Sequence, residues 1–170
     1  MIKTNIKGID LVFETSAGVF SPKGIDLGTL SMLSVVDFQE TDKVLDLGCG
    51  YGVAGILAAK IIGDHNVVMI DIDEEAIRLS RKNCLLNNVQ EVKIRKSDGF
   101  TNLDETDFTV ILSNPPYHTD FSVAKMFIEK GFNRLSIGGR MYMVTKRKEW
   151  YRNKLKSIFG GVRIWELNGY

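Results

Sequence analysis

The residues best suited to chemistry lie in two short segments, Ser113-Asn114-Pro115-Pro116-Tyr117 and Asp46-Leu47-Gly48-Cys49-Gly50-Tyr51-Gly52. In the first, two prolines fix φ and remove two backbone N–H donors, so the segment offers carbonyl acceptors without competing donors. A planar amino group keeps its lone pair delocalised in a π-system. It attacks an electrophilic carbon only when that pair is freed along the line of approach. The Asn114 side-chain oxygen and the Pro115 carbonyl can each accept one N–H bond from such a group, which positions the nitrogen and stabilises the charge developing on it. No strong base is required. Tyr117 would stack on a flat acceptor, an interaction worth about 1 to 3 kcal/mol for a nucleobase. A duplex base would have to be flipped out or already unpaired to reach it. Asn114, Pro115, Pro116 and Tyr117 are therefore the candidate catalytic residues.

The glycine-rich segment follows a predicted strand and opens a predicted helix, which is where open α/β sheets bind ligands, beyond the carboxyl ends of their strands. Glycines at 48, 50 and 52 tolerate positive φ and remove Cβ atoms that would block a ligand. The spacing is G-x-G-x-G after Asp46-Leu47, not the G-x-G-x-x-G that seats a pyrophosphate on a helix N-terminus. A ligand without phosphate fits better, and nicotinamide-dependent oxidoreduction is disfavoured. Asp71 ends the next strand, where a carboxylate can accept both hydroxyls of a ribose. Ile72 beside it can pack on an adenine face, and Asp98, after the third strand, can accept from an adenine amino group. Each acid alone is an ordinary turn residue or helix cap. Together, at successive strand ends, they point to a nucleoside.

These segments need a scaffold, and the hydrophobic patterning supplies one. Residues 2–6 and 9–15 are β-favouring runs separated by Lys7-Gly8, a hairpin signal. Helices are predicted over 27–36, 53–62, 74–87, 121–135 and 148–159, and strands over 44–47, 67–71, 92–95, 108–113, 140–145 and 162–167. Ile137-Gly138-Gly139 reads as a helix stop. In the helix over 74–87, Ala76, Ile77, Leu79, Ser80, Cys84 and Leu85 form the apolar face, with Arg78, Arg81, Lys82 and Asn83 falling largely elsewhere. Alternating strands and helices predict an α/β fold, a Rossmann-like doubly wound, mostly parallel sheet with right-handed crossovers and an N-terminal β-hairpin. A single domain over 1–170 is expected, with 1–26 as an extension and 27–170 as the core.

Composition excludes several classes. Lys plus Arg is 22 against 21 for Asp plus Glu, so a net charge of +1 supplies no global attraction to nucleic acid or membranes. Cys49 and Cys84 have no metal-type spacing and are too few for a disulfide framework, so no metal is expected and a reducing compartment suits the chain. Both read as small apolar filler. No apolar run reaches the roughly 20 residues that span a bilayer, and Met1-Ile2-Lys3-Thr4-Asn5 lacks the apolar core of a signal peptide. The expected location is cytoplasmic.

With these residues in place, the sequence resembles class I S-adenosylmethionine methyltransferases from about Val19 to the last residue. The resemblance makes Asp46 to Gly52 the family's first motif, Asp71 its ribose-binding acid and Asp98 its adenine-side residue, with Asp46 facing the amino group of the methionine part. It implies S-adenosylmethionine as cofactor, bound by Asp46, Gly48, Cys49, Gly50, Gly52, Asp71, Ile72, Asp98 and Asn114. Within that class, Asn-Pro-Pro-Tyr occurs in enzymes that methylate adenine N6, guanine N2 or the side-chain amide of glutamine. The flanks, His118-Thr119-Asp120 and the segment from Gly18 to Thr29, look like the methyltransferase small domain group, which includes guanine-N2 enzymes of small-subunit ribosomal RNA. There the loop reads Asn-Pro-Pro-Phe-His; Tyr117 departs from that Phe, keeping the ring while weakening the choice of guanine. Bacterial enzymes of that group also carry a degenerate N-terminal copy of the domain, and the present sequence holds one copy.

The resemblance thus implies methyl transfer to an exocyclic amino nitrogen, guanine N2 of ribosomal RNA first, with adenine N6 or glutamine N5 as alternatives. A nucleoside-binding module without chemistry is the non-enzymatic alternative, against which the intact Asn114 to Tyr117 segment speaks. The implied partner is RNA, free or in a ribosomal particle. His118 would contact the base or a phosphate, or else cap the following helix. Lys146, Arg147 and Lys148, with Trp150 and Tyr151 interleaved, form the candidate RNA-backbone contact; the other reading is a solvated helix start with core aromatics. The class closes its sheet with a seventh, antiparallel strand, which would begin where this sequence stops. The sixth strand is therefore expected at an edge, or the sequence is incomplete.

Overall fold

The computed structural model describes residues 1–116 and 120–170; Tyr117 and His118 lie outside the described residues. The chain opens with a hairpin of β1 (Ile2–Ile6) and β2 (Ile9–Phe13). Lys7 and Gly8 connect the strands with φ of 53° and 80°, the two positive angles that a two-residue hairpin turn requires. Helix α1 (Leu27–Val35) follows, then β3 (Val44–Leu47), α2 (Val53–Ile62), β4 (Val67–Asp71), α3 (Glu74–Leu86) and β5 (Lys93–Lys96). The second half contains β6 (Phe108–Ser113), α4 (Ser122–Phe132), β7 (Leu135–Met143) and α5 (Lys148–Phe159).

The main sheet runs β5-β4-β3-β6-β7, all parallel. Nearly every side chain of β3, β4 and β6 is buried, as expected of strands covered on both faces. Alternate residues still sort to opposite sides. Val44, Val67, Met69, Val110 and Leu112 join the hairpin, α1, α2 and α3 in one cluster. Leu45, Leu47, Val68, Ile70 and Ile111 join Phe100, Leu103 and Phe127 in the other.

Strand order reverses between β3 and β6. Their register pairs Leu47 with Ser113, so the next residue on each strand, Gly48 and Asn114, emerges side by side at the carboxyl rim. In sheets of this kind a crevice opens at that position.

Three expectations need correction. The Ile137-Gly138-Gly139 segment does not stop a helix: α4 ends at Phe132, and β7 has already begun at Leu135. Phe108 pairs with Leu135 but Val110 pairs with Arg140, so the intervening residues form a bulge. Gly138 adopts φ of 82° there, and a Cβ on Gly139 would strike the backbone oxygens of Ser136 and Phe108. The predicted strand 162–167 forms no ladder; its residues are exposed, and among the described residues β7 is the last strand of the sheet. Mutual backbone bonds between Leu167 and Tyr170 make a turn, and Asn168 donates to Ser31 Oγ at 2.9 Å, fixing the segment's end on α1.

The third correction concerns α3. Leu85, assigned to the apolar face, is 63% exposed, whereas Asn83 is fully buried. Asn83 accepts from Glu14 N at 2.7 Å and donates to Glu14 O at 3.0 Å and Tyr51 O at 2.8 Å. Asn87 makes the same reciprocal pair with Val12. These two amides satisfy the outer edge of β2 as a neighbouring strand would, which fastens the hairpin to the core. Asn83→Ala leaves three buried backbone groups without partners and should lower unfolding free energy by about 2 to 4 kcal/mol in urea titration; a loss within the roughly 0.5 kcal/mol of an ordinary surface substitution would refute this role.

Candidate active site

The turn after β3 is built by its hydrogen bonds. Gly48 and Cys49 both donate to Ile70 O at 2.9 Å, and Gly52 donates to Cys49 O. Gly48 and Gly50 hold φ of 77° and 57°, and a Cβ on either would meet no atom within 4 Å. Their open side is the cavity. Gly52 serves the fold: it precedes α2 with φ of 108°, and a Cβ there would lie 2.9 Å from Ile56 Cδ1. Of the three glycines, only Gly48 and Gly50 border the cavity.

Asp46 Oδ2 accepts from Gly55 N at 2.8 Å. That N–H belongs to the first turn of α2, the group that would hold a phosphate in a dinucleotide site. A carboxylate of the protein already occupies it. Burial, opposed in part by the Gly55 bond, raises the Asp46 carboxyl from 3.8 to about 7, with Asp71 contributing a smaller repulsion. Asp71 accepts from Gly50 N at 2.8 Å through one oxygen and from Asp73 N at 2.9 Å through the other. Its carboxyl is also raised, chiefly by burial. The carboxylate, with about four lone-pair sites, keeps capacity for a further donor.

A cavity of about 340 Å³ runs from this turn to Asn114 and Pro115. Asp46, Gly48, Cys49, Gly50, Asp71, Ile72, Asp98, Asn114, Pro115 and Pro116 all line it. Ile72 is 60% exposed at its rim, which leaves its side chain available to a ligand in the cavity. Cys49 is buried beside Ser80, and burial pushes its thiol well up; Cys84 is pushed up to about 12. Both remain thiols at neutral pH.

Sequence reasoning missed part of the far wall. Asp26, the N-cap of α1, accepts from Thr29 N at 2.9 Å and also lines the cavity. Asn114 Nδ2 donates to Asp26 Oδ2 at 2.8 Å and to Thr29 Oγ1 at 3.1 Å. An Asp just before a helix is an ordinary cap, and nothing in the sequence signalled this second use. Tyr51 was also read only as part of the glycine segment. Its hydroxyl reaches Ser21 O at 3.1 Å and Gly24 O at 3.4 Å. Burial pushes its phenol up to about 12, with help from Asp26, so it stays a donor.

The cations after β7 each have a partner within the chain. Lys146 sits over the Tyr170 ring at 4.7 Å and Arg147 over Phe121 at 4.8 Å, while Lys148 pairs with Glu166 at 3.0 Å. Phe121 stacks on Trp150, with 4.4 Å between centroids. No helix among the described residues is long and apolar enough to cross a membrane.

The parallel sheet with its reversal at β3 and β6, the glycine cradle and the acid ending β4 define a Rossmann-like domain of the class I methyltransferase type. The methyltransferase small domain family matches residues 10–170, and the chain belongs to it; its cofactor is S-adenosylmethionine. The uncharacterized protein YbxB of Bacillus subtilis (strain 168) is 34% identical, over 94% of this chain and 82% of its own length. Ribosomal RNA small subunit methyltransferase C of Serratia proteamaculans (strain 568) is 31% identical over 94% of this chain, which spans only 47% of that protein. A solved T. thermophilus 16S rRNA N2 methyltransferase, in complex with AdoMet and guanosine, superposes with a TM-score of 0.82 at 28% identity. That match covers 94% of this chain and 45% of the other.

The Asp46 carboxyl gives a direct test. It ionises near 3.8 in the unfolded chain and near 7 in the folded one, so between those values the folded state holds the extra proton and stability falls as pH rises. Asp46→Asn keeps an acceptor for Gly55 N without the buried charge. The melting temperature of ligand-free wild type should therefore decline from about pH 4 to about pH 7 more steeply than that of Asp46→Asn; parallel curves would contradict the assignment.

Proposed function

We propose that this protein transfers a methyl group from S-adenosylmethionine to an exocyclic amino nitrogen of RNA, guanine N2 of ribosomal RNA being the first candidate. The observation that carries this reading is the Asn114 side chain: its amide nitrogen donates to both Asp26 and Thr29, so its oxygen is the face left for an amino donor. The similarity to the small-subunit ribosomal RNA methyltransferase C supports the choice of RNA, and the similarity to the solved 16S rRNA N2 methyltransferase supports that of N2.

When bound, the cofactor supplies an electrophilic methyl on a sulfonium. The residues here would do the rest. Gly48 and Gly50 let the cofactor body lie against the turn, Asp46 faces its ammonium, and Asp71 receives its ribose hydroxyls, with Ile72 and Asp98 beside the adenine. These roles fit the donor set: a buried carboxyl raised to about 7 is suited to a cationic partner that restores its ionised form. Asn114 Oδ1 and the Pro115 carbonyl would each accept one hydrogen from the acceptor NH₂, turning its lone pair toward the methyl carbon. As the new N–C bond would form and the S–CH₃ bond break, leaving neutral S-adenosylhomocysteine, the positive charge would pass to the nitrogen, and both acceptors would strengthen their hold. The proton then leaves to water, since no strong base is needed. Stacking by Tyr117 and contact by His118 are proposed from their place in the sequence. Lys146, Arg147 and Lys148 are the proposed backbone contacts, their charges being exposed despite their intrachain partners.

Asn114→Ala should reduce labelled-methyl transfer to RNA by at least about 100-fold, as when a positioned polar group is removed from a reacting centre, while calorimetric cofactor affinity stays near wild type. Asp71→Ala should show the reverse emphasis, with weaker cofactor binding. Digestion of the methylated RNA to nucleosides identifies the acceptor: N2-methylguanosine supports the first candidate, and N6-methyladenosine replaces it. Transfer to protein glutamine alone, or none with intact cofactor binding, would overturn the RNA reading.

A further inference from the structure

We propose that Asp26 is a positioning residue for methyl transfer, fixing with Thr29 the orientation of the Asn114 amide; the inference rests on the reading of Asn114 as host to the acceptor nitrogen. An Asn side chain is nearly symmetric in shape, and its oxygen and nitrogen exchange places by a half-turn about χ2. The two orientations are chemically opposite. With nitrogen toward the acceptor, Asn114 would offer hydrogens to an NH₂ group, and only the Pro115 carbonyl would remain to receive one of that group's own.

The surroundings remove this ambiguity. Asp26 Oδ2 lies 2.8 Å from Asn114 Nδ2, and an ionised carboxylate only accepts. The flipped amide would set oxygen against oxygen. Thr29 supplies a second constraint: its hydroxyl points toward Asp26 Oδ2 at 3.4 Å, which leaves its lone pairs to accept from Asn114 Nδ2 at 3.1 Å. Both atoms of the clamp sit on the first turn of α1, and Gly28 makes room for them. A Cβ on Gly28 would fall 2.9 Å from Asp26 Oδ2 and 2.7 Å from Val144 Cγ1.

The carboxylate also polarises what it holds. A negative charge on the N–H side of an amide draws electron density toward the carbonyl oxygen, and hydrogen bonds in a chain strengthen one another. Asn114 Oδ1 thereby becomes a stronger acceptor as the substrate nitrogen turns cationic. Asp26 stands on the cavity wall, and in this scheme it acts through Asn114.

Asp26 also caps α1, so the test must separate the two tasks. Serine caps a helix about as well as aspartate but is too short to reach Asn114. Asp26→Ser should melt near wild type and bind S-adenosylmethionine within about 2-fold. Its kcat on a 16S ribosomal RNA transcript should fall by about 10-fold to 100-fold, the range for a lost hydrogen bond to a charged group, with a smaller change in KM. Asp26→Asn, which restores an acceptor oxygen of the same reach, should recover most of that loss. A second readout needs no activity: the Asn114 side-chain ¹⁵N–¹H signals, identified by their absence in Asn114→Ala, should exchange slowly with solvent in wild type and rapidly in Asp26→Ser. If Asp26→Ser is unstable, Thr29→Val removes one arm and leaves the cap; it should lower kcat by about 3-fold to 10-fold. Wild-type kcat and exchange in Asp26→Ser, or no recovery in Asp26→Asn, would overturn the inference. Should Asn114→Ala itself retain turnover, the fault lies with the parent reading; should it lose turnover while Asp26→Ser does not, only the clamp is wrong.

Discussion

The site depends on the pairing of β3 with β6. Because the two strands are parallel and Leu47 stands opposite Ser113, both release their next residue on the same rim, at the point where the sheet reverses its order. A shift of one residue would turn every side chain of a strand to the other face. The register is held because both faces are buried and each carries its own apolar set. Packing on the two sides of the sheet, far from any chemistry, therefore sets the distance between Gly48 and Asn114.

Around that pairing the protein tolerates local arrangements that an apolar core would avoid. Asp46 is almost fully buried with a raised carboxyl, and Asp71 adds a like charge nearby. Polar groups of this kind destabilise unless they are well partnered. The backbone of the glycine turn and the start of α2 supply the partners. The same economy appears at Asn83, where one amide joins the hairpin, α3 and Tyr51 of the glycine segment. The hairpin is thus not an appendage but one of the supports of the turn.

Much of this was legible in the amino-acid sequence. The apolar runs of β3, β4 and β6, the turn glycines and the acid ending β4 each announce themselves through local chemistry, since strand burial and positive φ restrict residue choice directly. What escaped was the part set by long-range contact. Asn83 reads as a polar helix residue until the hairpin is laid against it, and Leu85 reads as core until nothing covers it. Asp26 shows as a cap, while its bond to Asn114 spans 88 positions. Gly138 and Gly139 carry the same signal whether they end a helix or allow a bulge. Residues 162–167 have strand-forming composition, but a strand needs a hydrogen-bonded neighbour, and none of the described strands pairs with them.

The Asp46 to Gly55 contact has a consequence for selectivity in a crowded medium. ATP, GTP and the dinucleotides share an adenosine-like body with the methyl donor and greatly outnumber most other small molecules that carry one. What sets them apart is their chain of phosphates, and a free helix start would welcome it. Here the Gly55 N–H is already engaged from inside, and a polyphosphate approaching the turn would meet the Asp46 carboxyl where that N–H would otherwise be bare. Occupying part of the anion site in advance would disfavour the abundant nucleotides without a gate or a clash.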